Sequence, residues 1–405
     1  MPRWLVNTII WSFILIFVFY PKIIQDGGKI IFSSSIETTK HTLVISQVNK
    51  KSPLLTLTVK PEIVPYINTT QSQGLISNNR LSQDLSELSA VNANLIVEEH
   101  QITERKNHDL SKVKQTHWQL NITFDNDIFA NRDYYYTNGV RIEFVAPFAN
   151  ASPLNKILFS TKNKDIQLSG FSVIQNIYTP TNPDTSLILY GDHPFSAYLT
   201  IGQFRETYDL TRKIHIKSEF DIGVIGPASF GGQVQSSIHE IEPVGWRNQV
   251  KNGIVINYSF MIEKGLLHSS LFELNTLGRA SVGTLYNKAG GGLNLRFGKF
   301  LPFYHGPSSI FENKNPGGRY QFWIFSKTIV DFIAYDATLQ GGMFTQNNPY
   351  VLSGSDINRL VLQASVGVAI YYNSIGLEYE HIYLSPRFKG ANHFGWGSIK
   401  ATFAF

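Results

Sequence analysis

Period-two alternation recurs along most of this chain and limits its fold more than any other feature. Trp118, Leu120, Ile122 and Phe124 alternate with Gln119, Asn121, Thr123 and Asp125. Ile214, Ile216, Phe220, Ile222 and Val224 oppose His215, Lys217, Glu219, Asp221 and Gly223. Ile254, Ile256, Tyr258, Phe260 and Ile262 oppose Asn257, Ser259 and Glu263 in the same way. So do Ile399, Ala401, Phe403 and Phe405 against Ser398, Lys400, Thr402 and Ala404. Successive strand side chains point to opposite faces, so each run has one apolar and one polar face. Such runs begin near residues 118, 136, 166, 195, 214, 252, 267, 282, 320, 360, 375 and 396. A soluble β-sandwich shares the alternation. The number of runs, the polar side chains that would fill an interior and the aromatic residues near strand ends favour an all-β fold: a transmembrane antiparallel β-barrel of about 12 strands. An aromatic residue closing an alternating strand, as Phe405 does, also suits an outer-membrane barrel.

The first part of the chain is different. Trp4 to Tyr20 form an apolar run behind Arg3, the pattern of an export signal. No A-x-A-like cleavage site lies between Pro21 and Gly28, so residues 1–28 are expected to be a signal peptide or an uncleaved anchor. The run is short for a helical membrane span and contains Asn7, Thr8 and Ser12. Residues 29–116 mix a short β-like part with polar stretches and are expected to be a leader or periplasmic linker, largely irregular. Residues 117–405 then form the barrel domain. The formal charge of +5 is spread along the chain, so no nucleic-acid partner is expected. The absence of cysteine from all 405 residues excludes disulfides, iron–sulfur clusters and thiolate zinc sites.

An even-stranded barrel with both ends in the periplasm sends its first strand outward. Odd strands then end, and even strands begin, at the outer surface. Asn126 and Asp127 fall at the end of strand one, Thr137 at the start of strand two, Tyr178 just past strand three and Ser196 at the start of strand four. The segment Gly226–Gln249, which contains His239, follows strand five. Polar motifs thus gather at one rim. Turns at the other end need Gly and Asn equally, so fold alone does not explain this gathering. Asn126 and Asp127 would face opposite ways in a regular strand, and can share one site only where the strand ends or bulges. His239 is the group of the long rim segment suited to act as a base near neutral pH, although an exposed loop histidine is the commoner reading.

Phe124-Asp125-Asn126-Asp127-Ile128-Phe129 with Asp133-Tyr134-Tyr135-Tyr136-Thr137-Asn138-Gly139 is similar to the N-terminal signature of the outer-membrane lipid A 3′-O-deacylase family. Further matches follow in order: Gln175-Asn176-Ile177-Tyr178-Thr179-Pro180, Phe195-Ser196-Ala197-Tyr198-Leu199, Asp221 to Pro227, Gly232-Gln233-Val234-Gln235, His239, Pro243 to Gln249, and Thr338-Leu339-Gln340-Gly341. The resemblance spans Trp118 to Phe405. It implies an enzyme of the bacterial outer membrane, expected as a monomer, that hydrolyses the ester of a 3′-acyloxyacyl chain on lipid A of lipopolysaccharide. It also implies that His239 activates water, that Asn126, Asp127 and Thr137 belong to the site, and that a bound Ca²⁺ is the electrophile. Asp127 and Glu242 are then the expected metal ligands, since relatives carry an acidic residue where Glu242 stands. Tyr136, Tyr178, Gln235 and Trp246 are expected to contact substrate. Two departures stand out. The segment between His239 and Trp246 is shorter than in some relatives, and Thr181-Asn182-Pro183-Asp184 replaces a lysine that follows the Tyr-Thr-Pro motif elsewhere. Two other classes stay open: a serine-dependent outer-membrane phospholipase using Ser236 or Ser237, and a non-catalytic barrel serving as channel or adhesin.

Overall fold

The computed structural model describes residues 118–130, 134–238, 244–305 and 320–405. The expectations for residues 1–28 and 29–116 lie outside them. Twelve antiparallel strands close into a barrel. They are β1 (Gln119–Asn126), β2 (Tyr135–Val145), β3 (Ile166–Thr179), β4 (Ser196–Asp209), β5 (Ile214–Ile225) and β6 (Gly253–His268). β7 (Phe272–Gly283), β8 (Tyr286–Lys299), β9 (Tyr320–Asp336), β10 (Leu360–Tyr372), β11 (Ile375–Leu384) and β12 (Phe394–Ala404) complete the wall. β1 pairs with β12 from Gln119↔Ala404 to Asn126↔Gly397. Trp118 and Phe405 extend that seam by exchanging two backbone hydrogen bonds, at 3.0 and 2.9 Å. Closure leaves no open sheet edge, as a wall in hydrocarbon requires.

Two runs start later than the alternation suggests, at Phe272 and Tyr286. β6 runs on to His268 through a bulge between Gly265 and Leu267, so the adjacent Leu266 and Leu267 belong to it and do not open a new strand. Tyr178 lies inside β3, paired with Ser196, where the sequence placed it just beyond the strand.

Register separates the faces of the wall. Ile122, Ile142, Val173, Ile201, Ile222 and Ile256 form one continuous row across β1 to β6. Ile142, Val173 and Ile201 are 39%, 43% and 57% exposed, which marks this row as lipid-facing. The opposite face is charged. Arg141 bridges Glu143 and Glu219 at 2.6 Å each, and Lys217 reaches Glu143 at 2.5 Å and Glu206 at 2.7 Å. Charges removed from bulk water in this way survive because each has a partner. Glu143, Glu206 and Lys217 line a cavity of about 600 Å³ inside the barrel.

The outer mouth is filled. Tyr135, Tyr136, Tyr178, Tyr198, Phe388 and Phe394 cluster there with Leu339 and Leu352. Leu339 is carried in by the short helix Ala337–Gln340, which Asp336 caps through the Thr338 backbone N–H. Asp336 also forms an ion pair with Arg387. His193, from the segment joining β3 to β4, stacks flat on Tyr178 with centroids 5.4 Å apart. Its Nδ1–H donates to the Pro194 carbonyl at 2.7 Å. Arg387 can only donate, so Nε2, 3.4 Å from its guanidinium, must be the acceptor and the ring is neutral. Burial first, and the Arg387 charge second, push the His193 pKa down to about 3.

An unfolded histidine titrates near ~6.5, so the unfolded chain binds the extra proton first as pH falls. The stability held in the neutral ring is complete above that value and is lost as the pH drops toward about 3. Proteolysis of the segment 180–195 should therefore accelerate on acidification through this window. His193→Gln should flatten that dependence, and an unchanged profile in the variant would refute the assignment.

Candidate functional site on the lipid-facing wall

Two outward-facing steps nearer the outer rim than the isoleucine row, Gly397, Asn126, Asn138, Ile177 and Ala197 are aligned in register across β12, β1, β2, β3 and β4. Each stands four residues from a member of the isoleucine row or its β12 partner Ala401, an even number, so this row also faces outward. At about 4.8 Å per strand it spans about 19 Å. Three local irregularities shape it.

The first is the end of β1. The Asn126 side-chain oxygen accepts from the Ile128 backbone N–H at 2.9 Å, the short-range bond by which asparagine turns a chain. Asp127 then opens a 3₁₀ turn, Asp127–Ala130, and is itself buried. The turn folds over β12, because a Cβ added at Gly397 would run into Phe129. The strand therefore ends where parity required it to end if Asn126 and Asp127 were to serve one place.

The second is a bulge in β2. Pairing with β3 jumps from Tyr136↔Tyr178 to Asn138↔Ile177, leaving Thr137 as the extra residue. In a regular strand residues 136 and 138 would share a face. The bulge lets Tyr136 point inward, donating to Asp125 at 2.8 Å, while Asn138 faces outward. Gly139 makes room for that ring, since a Cβ there would overlap the Tyr136 hydroxyl. Thr137 and Thr179 share a hydrogen bond between their hydroxyls at 2.7 Å, both residues being buried.

The third is a roof. Helix α1 (Gly231–Ile238) lies on the outside of the wall, so close that a Cβ at Gly231 would overlap that of Ala197. Gln175 fixes the approach by donating to the Ser229 carbonyl at 2.6 Å. Trp246, on the 3₁₀ turn Val244–Asn248, is buried against Phe195 with centroids 5.2 Å apart. Ile177, Phe195, Ala197, Trp246 and Val234 make one apolar cluster between helix and wall. Gln235 is the buried polar residue of α1.

Of the residues singled out from sequence, Asn126, Thr137, Gln235 and Trp246 thus belong to the outward face and its roof, and Asp127 opens the adjoining turn. Tyr136 and Tyr178 do not join them: both point into the barrel, their rings 5.2 Å apart. His239 and Glu242 lie outside the described residues, although His239 follows α1 directly in the chain. Asn138 and Thr179 were missed as candidates, even though each sits inside a quoted motif. Among the described residues no group of three His, Cys, Asp or Glu side chains could hold a metal. The donors near this face are the carboxylate of Asp127, the amides of Asn126 and Asn138, and the hydroxyls of Thr137 and Thr179. An all-oxygen set of that kind suits a hard cation such as Ca²⁺ better than zinc.

A family model described as outer membrane protein LpxR matches residues 94–405. The chain belongs to this family. As a member it is an outer-membrane protein, in keeping with its closed barrel. LpxR from Salmonella typhimurium has a similar fold, with a TM-score of 0.56 at 20% identity, covering 70% of this chain and 99% of that one. The β domain of the Bordetella autotransporter BrkA matches at a TM-score of 0.38 and 10% identity, over 71% of this chain and 98% of that one. No curated protein matches the sequence.

The Gly231–Ala197 contact gives a direct test of the roof. Gly231→Val should lift α1 from the wall and speed proteolytic cleavage between residues 226 and 250. The barrel itself should keep its heat-modifiable migration on gels. Equal cleavage rates in variant and parent would show that the close approach does not hold the helix.

Proposed function

We propose that the protein is an outer-membrane hydrolase that removes an ester-linked 3′-acyloxyacyl chain from lipid A of lipopolysaccharide in the outer leaflet, acting as a monomer. The observation that carries this reading is the face on which the polar groups stand. Asn126 and Asn138 stand on the lipid side of the wall, Asn138 buried there beside the buried Thr137–Thr179 pair and next to α1, on the side from which a membrane lipid and not a luminal solute would approach. Membership of the family adds to it.

Ester hydrolysis needs a nucleophile, a proton acceptor and something to hold the developing oxyanion. In this reading His239 takes the proton from water, since a neutral imidazole suits that task near pH 7. Backbone N–H groups at Gly231 and Gly232, in the first turn of α1, and the Asn126 amide favour negative charge on the substrate oxygen. Thr137 orients the water, its hydroxyl being fixed by Thr179. Asp127, with neighbouring oxygens and Glu242, would hold Ca²⁺. When bound, the ion supplies a fixed positive charge for polarising an ester carbonyl. Gln235 and Trp246 line the roofed side for the acyl chain. Tyr136 and Tyr178 act from the luminal side by bracing the wall at the bulge.

Neither rival reading gains support. Ser236 and Ser237 are exposed on α1, and the Ser237 hydroxyl donates to the Val234 carbonyl at 2.7 Å, so neither is set up as a nucleophile. A passive channel fits poorly with an outer mouth packed by tyrosine and phenylalanine rings.

Purified, folded protein should release fatty acid from lipid A, read by mass spectrometry. His239→Ala should lose on the order of a hundredfold or more, the usual scale for a general base. Chelation should abolish release and added Ca²⁺ restore it, whereas Asp127→Ala should stay impaired until Ca²⁺ is raised well above the level that suffices for the parent. Ser236→Ala and Ser237→Ala should keep most activity. If His239→Ala works as fast as the parent while either serine variant is dead, a covalent mechanism replaces the water mechanism.

A further inference from the structure

The segment joining β2 to β3, residues 146–165, is long for the end of the barrel where Trp118 and Phe405 meet, which is the periplasmic end. It does not project into the periplasm. It folds back along the outside of the wall through two 3₁₀ turns, Pro147–Ala151 and Pro153–Lys156. The strands beneath carry polar side chains on their lipid-facing side. Arg205 is in the same alternating set as the exposed Ile201, and it donates to the carbonyls of Asn155 at 2.7 Å and Leu158 at 2.6 Å. Ser218 donates to the Phe159 carbonyl at 2.9 Å, and the Phe159 N–H donates to the Tyr258 hydroxyl at 2.9 Å. A bare arginine on the lipid-facing side would lack hydrogen-bond acceptors among the acyl chains. The strap covers it and supplies its acceptors.

The other side of the strap is amphipathic. Phe148 and Phe159 are 60% and 61% exposed, with Leu154 and Ile157 exposed between them. Phe148 packs on Trp118 at 5.7 Å and on Phe171 at 5.9 Å, and Phe159 packs on Tyr258 at 5.7 Å and on Phe260 at 5.5 Å. Strap and wall rings thus form an aromatic band on the lipid-facing side, the kind of band with which a barrel meets headgroups. Three exposed lysines, Lys156, Lys162 and Lys164, accompany them within nine residues. The one acid of the strap, Asp165, is engaged elsewhere, accepting from the Leu210 N–H at 2.8 Å.

Apolar side chains in such a band beside a lysine cluster are the recognition chemistry of an anionic lipid surface. We propose that residues 146–165 dock the barrel on the anionic phospholipid headgroups of the inner leaflet, with Phe148 and Phe159 among the acyl chains and the three lysines on the phosphates. This surface is at the opposite end of the barrel from α1, and the proposal stands whether or not the hydrolase reading holds.

The absence of native cysteine makes a site-specific test simple. Asn163→Cys places a fluorophore on the strap, and Ser270→Cys places a control on the exposed turn between β6 and β7. The full chain is reconstituted in vesicles of phosphatidylcholine and phosphatidylglycerol, with bromine quenchers on the acyl chains of one lipid or the other. At residue 163, brominated phosphatidylglycerol should quench with an apparent preference on the order of tenfold at low ionic strength, shrinking as salt screens it. No such preference is expected at residue 270. In Lys156→Gln/Lys162→Gln/Lys164→Gln, whose folding is checked by heat-modifiable migration, the preference should vanish. Equal quenching by the two lipids at residue 163, or a preference that survives in the triple variant, would overturn the proposal.

Discussion

Inside a bilayer no water is available to a strand's N–H and C=O groups, so every strand of a spanning wall must find a partner on both sides. For this chain that requirement is met at the seam between β1 and β12, where eight register pairs and the Trp118–Phe405 exchange join the two ends of the sheet. Most other features follow from that closure. Once the sheet is closed, alternation leaves each residue only two options, lumen or lipid. The isoleucine row and the Arg141–Glu143–Lys217–Glu206 network are the two outcomes. A charge on the wrong side has to be covered, and Arg205 is covered by backbone carbonyls of the strap.

Two departures from regular strand geometry lie at the outward row, in addition to the bulges in the β6–β7 and β8–β9 pairings. β1 stops at Asn126, β2 bulges at Thr137, and small residues at Gly397, Ala197 and Gly231 admit a turn on one side and a helix on the other. A bulge and missing side chains weaken a sheet, and bulges are found disproportionately beside functional positions. The luminal face compensates at the same level. Tyr136 holds Asp125, and His193 and Arg387 lock the rings of the outer mouth together. The proposed site therefore rests against a rigid aromatic interior, with the wall between them.

Much of the barrel is legible from alternation alone, because period two is a property of neighbouring residues. Strand starts at residues 166, 214, 320, 360 and 375 follow directly from it. The face of the site is not legible in that way. One inserted residue at Thr137 reverses the parity of everything beyond it, and nothing local in Tyr-Tyr-Tyr-Thr-Asn-Gly says which residue is extra. Tyr136 and Tyr178 stand in motifs with Thr137 and Thr179, yet the wall separates their rings from the outward groups. The roof is hidden for a different reason. Gly231 and Ala197 are far apart in sequence, and only the folded wall shows that both must be small. The strap looks in sequence like an ordinary long turn, because its partners on β4, β5 and β6 are polar residues whose outward direction appears only with the register.

The plugged lumen and the outward row together decide how a ligand would arrive. With the mouth filled by rings, a molecule bound between the turn on β12 and α1 enters sideways, from within the leaflet. Its encounter rate is then a two-dimensional quantity, set by mole fraction among neighbouring lipids and by lateral diffusion. Bulk concentration loses its usual meaning there. Saturation would follow surface dilution by inert lipid or detergent, and changes in leaflet packing would alter turnover without touching a side chain of the protein.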